Sequence, residues 1–327
     1  MNIVILGGIL ITVLTLIPVL GQLRQHPRGL VILFFAEMWE RFSYYGMRGI
    51  LIFYLTQHFL YSDGFANGMY GAYTSLVYLL PLIGGFIADR YLGTRKAIAF
   101  GALLLVGGHL LMAVEQQPAQ QTLTYQGQTY VFDSEGRMER REVEIVVGGE
   151  RYAFEGATQT DAAGQEVNGL AILDLPAGAP LPAFLPEGSY ELGVEGRQPL
   201  FEGVMLFALA LIAAGVGFLK PNISTIVGQL YPGDDPRRDS GFTLYYYGIN
   251  LGAFWASILC AWLGLEFGWW AGFGLAGIGM ALGFIVFVLG KPLLEGNGEP
   301  PAPERLKEKG LFGLSKENTI YLLGVLG

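Results

Sequence analysis

Residues 34–49 read FFAEMWERFSYYGMRG, and the fold turns on how this stretch is interpreted. It lies in an apolar run of about residues 30–60, long enough to cross a hydrocarbon core of roughly 30 Å, which takes about 20 helical residues. Yet it carries Glu37, Glu40 and Arg41 near its start. A charge facing lipid at mid-bilayer costs about 2.5–3.5 kcal/mol on insertion scales. Glu37, Glu40, Arg41, Tyr44 and Tyr45 stand at i, i+3, i+4, i+7 and i+8, which is one continuous face of a helix. That face must look into a helical bundle or a cavity.

The rest of the chain supplies such a bundle. At 327 residues it is 52% hydrophobic and 15% charged, with 48 Gly and a mean hydropathy of +0.43, far from a soluble domain. Apolar runs of spanning length occur near 2–20, 30–60, 68–88, 97–114, 201–230, 242–263 and 268–290. A further run begins at Thr319 and is cut off at Gly327, so a truncated longer protein is expected. Arg24 and Arg28, then Arg90, Arg95 and Lys96, then Arg237 and Arg238, then Lys291 fall on connections that an alternating topology puts on one side. The opposite connections around Asp63 and Glu266 carry no Lys or Arg, which makes the basic side cytoplasmic.

The formal charge of -8 is local. Residues 115–199 hold 5 Lys/Arg and 14 Asp/Glu, leaving 15 and 14 elsewhere. Within them TLTYQGQTYVF, REVEIVV and RYAFEG read as strands, with SEG and GGE as turns, against the alternative of a disordered acidic loop. The expected organisation is all-α and polytopic. Residues 1–21 form an extra N-terminal anchor, 28–114 three spans, 115–199 an extracytoplasmic β insert, 200–291 three more spans, and 292–327 a cytoplasmic linker with the start of another helix. A signal peptide is the alternative for the first run, which lacks a basic n-region.

Other polar residues interrupt the apolar spans. Lys220 sits in GVGFLKPNIST, where Pro221 removes a backbone donor, and its expected partner is the Glu37/Glu40 face. Three of these four charges can engage one another and leave one free, as a charged substrate or a mobile proton requires; a purely structural ion-pair network is the alternative. Carboxyls suit proton carriage because burial favours the neutral form and a neighbouring cation the charged one. TLYYYGINLG places Tyr246 and Asn250 four residues apart on one helix, either for binding or for interhelical packing. Cys260 has no partner for a disulfide. His26, His58 and His109 lack metal-ligand spacing and no nucleophile elbow or phosphate loop occurs, so an enzyme is not expected.

Glu37-x-x-Glu40-Arg41-Phe42-x-Tyr44-Tyr45-Gly46 resembles the signature of the proton-dependent oligopeptide transporter (POT) family of the major facilitator superfamily. In the same order GGFIADRYLGTRKAI resembles the superfamily's loop between helices two and three, GFLKPN the POT fourth-helix motif and FTLYYYGINLG its fifth-helix motif. The resemblance covers nearly all of 28–290 outside the insert, with Tyr245 where Phe is usual. It implies the N-terminal six-helix bundle of that fold and a multi-pass protein of the cytoplasmic membrane. It also implies symport of di- or tripeptides with protons, with no cofactor beyond the proton as coupling ion.

By the same resemblance Glu37, Glu40, Arg41 and Lys220 form the proton-linked group, and Arg41 and Lys220 hold the peptide carboxylate. Tyr44, Tyr45, Tyr78 and Asn250 line the peptide cavity, while Asp89, Arg90 and Arg95 serve gating. Alternating access needs a second six-helix bundle, in cis or in trans. Two other readings stay open: a carrier of another small carboxylate or nitrogenous solute, and a non-transporting membrane protein that binds a partner through its insert.

Overall fold

The computed structural model describes residues 2–160 and 164–326. Met1, Gly327 and residues 161–163 lie outside the described residues, and with them the expected break at Gly327 and part of the insert. The chain divides into two compact units, residues 1–51, 67–115 and 200–327 on the one hand and 52–66 with 116–199 on the other.

The first unit is helical. α1 (Asn2–Leu23), α2 (Arg28–Phe53), α3 (Asp63–Ile87), α4 (Gly93–Met112), α5 (Pro199–Gln229), α6 (Arg238–Glu266) and α7 (Trp269–Gly290) are long, and α8 (Pro303–Lys307) and α9 (Lys316–Leu326) are short. α2 and α3 each run on into a π-helical turn, Tyr54–His58 and Ala88–Leu92. Among the described residues five stretches are long and apolar enough to cross a membrane: Ile3–Leu23, Asp63–Met112, Pro199–Gln229, Arg238–Glu266 and Trp269–Leu294. Two of the seven expected spans, α3 and α4, share the second stretch. α2 has a spanning length but is not among the five, because its own charged face lowers its apolarity.

Glycines set the helix spacing. A Cβ on Gly252 of α6 would overlap the Met38 carbonyl of α2, and one on Gly46 would overlap the Cys260 sulfur. These small residues let α6 lie directly on α2, as close-packed membrane helices require. Gly84 of α3 approaches the Gly217 carbonyl of α5, which is the carbonyl that Pro221 leaves without its helical donor. α5 nevertheless stays helical through Pro221, without the one hydrogen bond that the proline cannot donate. α1 touches α6 by a Trp255–Thr12 hydrogen bond of 2.9 Å and a Thr15–Tyr247 hydroxyl pair at 2.6 Å, and most of its apolar side chains are exposed.

The described residues of the second unit form two antiparallel sheets. Strands β1 (Gln120–Tyr125), β2 (Gln128–Glu135), β3 (Glu142–Val147), β4 (Glu150–Tyr152) and β8 (Tyr190–Glu195) form a sheet of order β4-β3-β2-β1-β8. β5 (Phe154–Thr160), β6 (Glu166–Ile172) and β7 (Phe184–Pro186) form the other. Gln126-Gly127 and Gly148-Gly149 turn the β1–β2 and β3–β4 hairpins with positive φ at both residues, the backbone hand that tight hairpins demand. Leu123, Tyr130, Phe132, Ile145, Val147, Ile172, Leu181 and Leu185 make the core.

This unit is larger than the predicted insert because it includes the α2–α3 connection. Gln57 exchanges two hydrogen bonds with the Met138 backbone, and Arg197 donates to the Phe59 and Leu60 carbonyls at 2.7 Å each. The Arg197 guanidinium also lies 4.9 Å from the centre of the Tyr61 ring.

Candidate functional site

α2 carries the charged face and the helices around it exclude water. Gly248 and Gly252 of α6 allow contact with Phe34 and Met38, and Gly279 and Gly283 of α7 admit Trp39 and Phe42. Glu37, Glu40 and Arg41 are accordingly 3%, 0% and 5% exposed. Arg41 Nε lies 3.0 Å from Glu37 Oε1 and closer still to Glu40 Oε2, so one guanidinium serves two carboxylates. Tyr245 of α6 is buried within electrostatic range of Glu37 and Arg41. One Glu37 oxygen, both Glu40 oxygens and Arg41 Nη2 have no aligned hydrogen bond from the protein, although Glu40 and Arg41 are in ion contact. A buried charge cluster of this kind keeps unspent hydrogen-bonding capacity.

An aromatic layer follows along the same face. Tyr44 is buried with Arg41 5.6 Å from its ring centre, and it packs edge-on against the partly exposed Tyr45 at 5.2 Å. Arg48, one turn further, donates to the Tyr70 hydroxyl of α3 at 2.7 Å, and Tyr73 lies buried beside Tyr44 and Glu40.

Lys220 does not make the ion pair expected of it. Its Nζ sits 4.8 Å from the centre of the Tyr78 ring, and among the described residues no carboxylate is within ion-pair distance, since both glutamates are taken by Arg41. Glu40 still lies within electrostatic range of Lys220. Tyr78 and Asn250 are exposed, and the Asn250 amide donates to Tyr246 within its own helix at 3.0 Å. The structure thus gathers Glu37, Glu40, Arg41, Tyr44 and Tyr45, pairs Lys220 with Tyr78, and bonds Asn250 to its own helix.

Asp89, Arg90 and Arg95 lie elsewhere, at the α3–α4 junction. Asp89 is exposed, Arg90 stacks over Phe86 and Tyr91, and Arg95 pairs with Glu299 at 2.6 Å. There the segment after α7 folds back: Arg95 N donates to Gly298 O, and Lys96 pairs with Glu317 of α9 at 2.6 Å. Ile320, Leu323 and Gly324 of α9 close an apolar cavity of about 340 Å³ against α3 and α5, which holds no charged side chain.

Arg48, Tyr70, Tyr73 and Glu299 are not singled out by the sequence, and Tyr245 stands out there only as the residue in place of the usual Phe. Arg48 was within reach of the same argument, since it stands seven residues after Arg41 and extends its face. The tyrosines of α3 carry no such signal, because an aromatic in an apolar helix is usually packing.

Comparison with known proteins agrees with this architecture. The PTR2 model, described as the POT family, matches residues 95–307. The chain is 31% identical over 306 residues to the "Uncharacterized transporter YclF" of Bacillus subtilis (strain 168), covering 92% of this chain and 45% of that protein. It is 25% identical over 277 residues to the "Dipeptide and tripeptide permease A" of Erwinia pyrifoliae, covering 85% and 39%. A crystal structure of a POT family transporter in complex with 5-aminolevulinic acid superposes with a TM-score of 0.57 at 28% identity, over 92% of this chain and 45% of that one. The chain spans less than half the length of these relatives. Because the family model matches well over half of its residues, and its long apolar helices suit a bilayer, the chain is a multi-pass membrane protein that belongs to the POT family.

Proposed function

We propose that this chain is the N-terminal bundle of a symporter that carries di- and tripeptides into the cell together with protons. The observation that carries the reading is the buried trio of Glu37, Glu40 and Arg41, together with Lys220, which sits over the Tyr78 ring with no carboxylate within ion-pair distance among the described residues. Two glutamates that share one guanidinium can give up one share when a proton arrives, and the released cation can then take a peptide carboxylate. In this reading Glu37, Glu40, Arg41 and Lys220 couple the proton, and Arg41 and Lys220 receive the carboxylate. Tyr44, Tyr45, Tyr78 and Asn250 line the peptide path.

α2–α7 form the six-helix bundle, α1 is an added helix, the β unit is extracytoplasmic, and the protein resides in the cytoplasmic membrane. Asp89, Arg90 and Arg95 gate the cytoplasmic end, with no cofactor beyond the proton. Rocking about a central site takes a second bundle, supplied in cis or in trans. The dipeptide and tripeptide permease among the relatives supports the substrate class.

The test is uptake of a labelled dipeptide by cells expressing the protein from its own locus. Uptake is expected to follow the proton gradient, to stop with a protonophore, and to fall at least about tenfold in Glu40→Gln and Lys220→Gln. Uptake unchanged by collapse of the gradient would overturn proton coupling. A second reading, a carrier of other small amino carboxylates, is favoured by the relative crystallised with 5-aminolevulinic acid. Uptake of that solute uninhibited by dipeptides would replace the peptide reading.

A further inference from the structure

The five-stranded sheet of the β unit forks. The β1–β2 ladder ends at Thr122–Val131. Beyond that point β2 continues through Phe132–Glu135 as the partner of β3, while Gln120 and Gln121 of β1 continue as partners of β8. The two strands part, and the edges that would have faced each other have no cross-strand ladder. A cavity of about 250 Å³ occupies the fork, lined among others by Gln120, Gln121, Phe132, Ser134, Arg141 and Val143.

Arg141 enters this cavity immediately before β3. Its guanidinium has no hydrogen bond or ion pair to any described side chain, in contrast to Arg151 and Arg197 of the same unit, which are both engaged. Burial pulls it below the ordinary arginine range, and no carboxylate among the described residues offsets that cost. The acid that shares the cavity, Asp133, is taken by Arg151 and by the Ser134 N–H. In a unit with a large excess of acidic residues, a half-buried arginine left without a carboxylate is a cation held open for an external anion.

We infer that the β1–β2 fork is a recognition site for a short peptide, whose C-terminal carboxylate pairs with Arg141 and whose extended backbone hydrogen-bonds the parted strand edges. Strand edges recognise extended peptides through main-chain hydrogen bonds in this way, independent of side chains. Gln120, Gln121 and Ser134 add donors and acceptors, and Phe132 and Val143 give an apolar wall. The inference rests on the peptide reading of the transport site and adds a second place where the same class of ligand is met.

The test is a titration of the full chain in detergent, with arginine Nε labelled and the Arg141 signal assigned by its loss in Arg141→Gln. The probes are dialanine, dialanine amide and acetate. Dialanine is expected to shift the Arg141 signal in the native chain and equally in Lys220→Gln, and the amide to bind at least about tenfold more weakly. An Arg141 signal unmoved by dialanine, while Lys220-dependent dipeptide binding persists, overturns the inference and leaves the transport reading in place. A shift by acetate at the same concentrations as dialanine overturns peptide recognition. Loss of the Lys220-dependent binding with the Arg141 shift intact counts against the transport reading alone. Because the amide comparison is made in the native chain, the outcome holds even where Arg141→Gln disturbs the sheet.

Discussion

At Arg41 one guanidinium faces two carboxylates in a site with almost no water contact, and this division sets what each group is worth. Removing the cation strands two buried acids. Arg41→Gln is therefore expected to lower stability by about 3–5 kcal/mol, read as a fall in the thermal midpoint in detergent, with a smaller loss for Arg41→Lys, which keeps the charge but not the fork. A different balance holds at the α1–α2 turn, where His26 Nδ1 is 2.8 Å from the Tyr231 hydroxyl. Burial, and after it the Arg237 cation, lowers the His26 pKa below 6.5, while Asp235 acts the other way. Both of the lowering causes disfavour the imidazolium. Arg237→Gln removes one of them and also frees Asp235, so the His26 midpoint measured by NMR should rise.

Among the elements, α6 is the pivot, because it touches α2 through glycines and α1 through hydroxyls. Gly252→Ala places a methyl against the Met38 carbonyl and is expected to cost about 1–3 kcal/mol. Gly49→Ala on α2 meets nothing within 4 Å, and gains about 0.5–1 kcal/mol from helix propensity. A thermal-shift comparison of the two separates packing from propensity, and equal effects would remove the close-approach account of α6. On the other side of α6, Thr12 and Thr15 are one helical turn apart and reach Trp255 and Tyr247. Interhelical hydrogen bonds in membranes are worth about 0.6 kcal/mol on average, so Thr12→Val with Thr15→Val should loosen α1 without unfolding the chain. Cross-linking of a Thr15→Cys, Tyr247→Cys pair reports that contact.

For the molecule as a whole, the β unit is built from two separated parts of the chain. Its hold on the α2–α3 connection depends on Gln57 and Arg197. Gln57→Ala leaves the Met138 N–H without its acceptor, and amide exchange at Met138 should become at least about tenfold faster while the β5–β6 amides stay as they were. Much of this plan is legible in the linear order of residues. The period of Glu37, Glu40, Arg41, Tyr44 and Tyr45 marks a buried charged face, and the apolar runs mark the helices, because both depend on spacing along a single element. Turn chemistry marks the hairpin at Gly148-Gly149 for the same reason. Which cation meets which carboxylate is not local. Arg41 takes both glutamates because it lies on their own helix one and four residues away, whereas Lys220 comes from α5 and settles on the Tyr78 ring. Residues 52–66 join the β unit through hydrogen bonds to positions some 80–140 residues further on, and Tyr245 reaches Glu37 across more than 200. The sequence by itself thus determined the helices, the charged face and the family, since periodicity and motif are properties of neighbouring residues. The tertiary structure alone decided the pairing of the charges and the fork in the sheet, since both depend on which distant elements are brought within a few ångströms of each other.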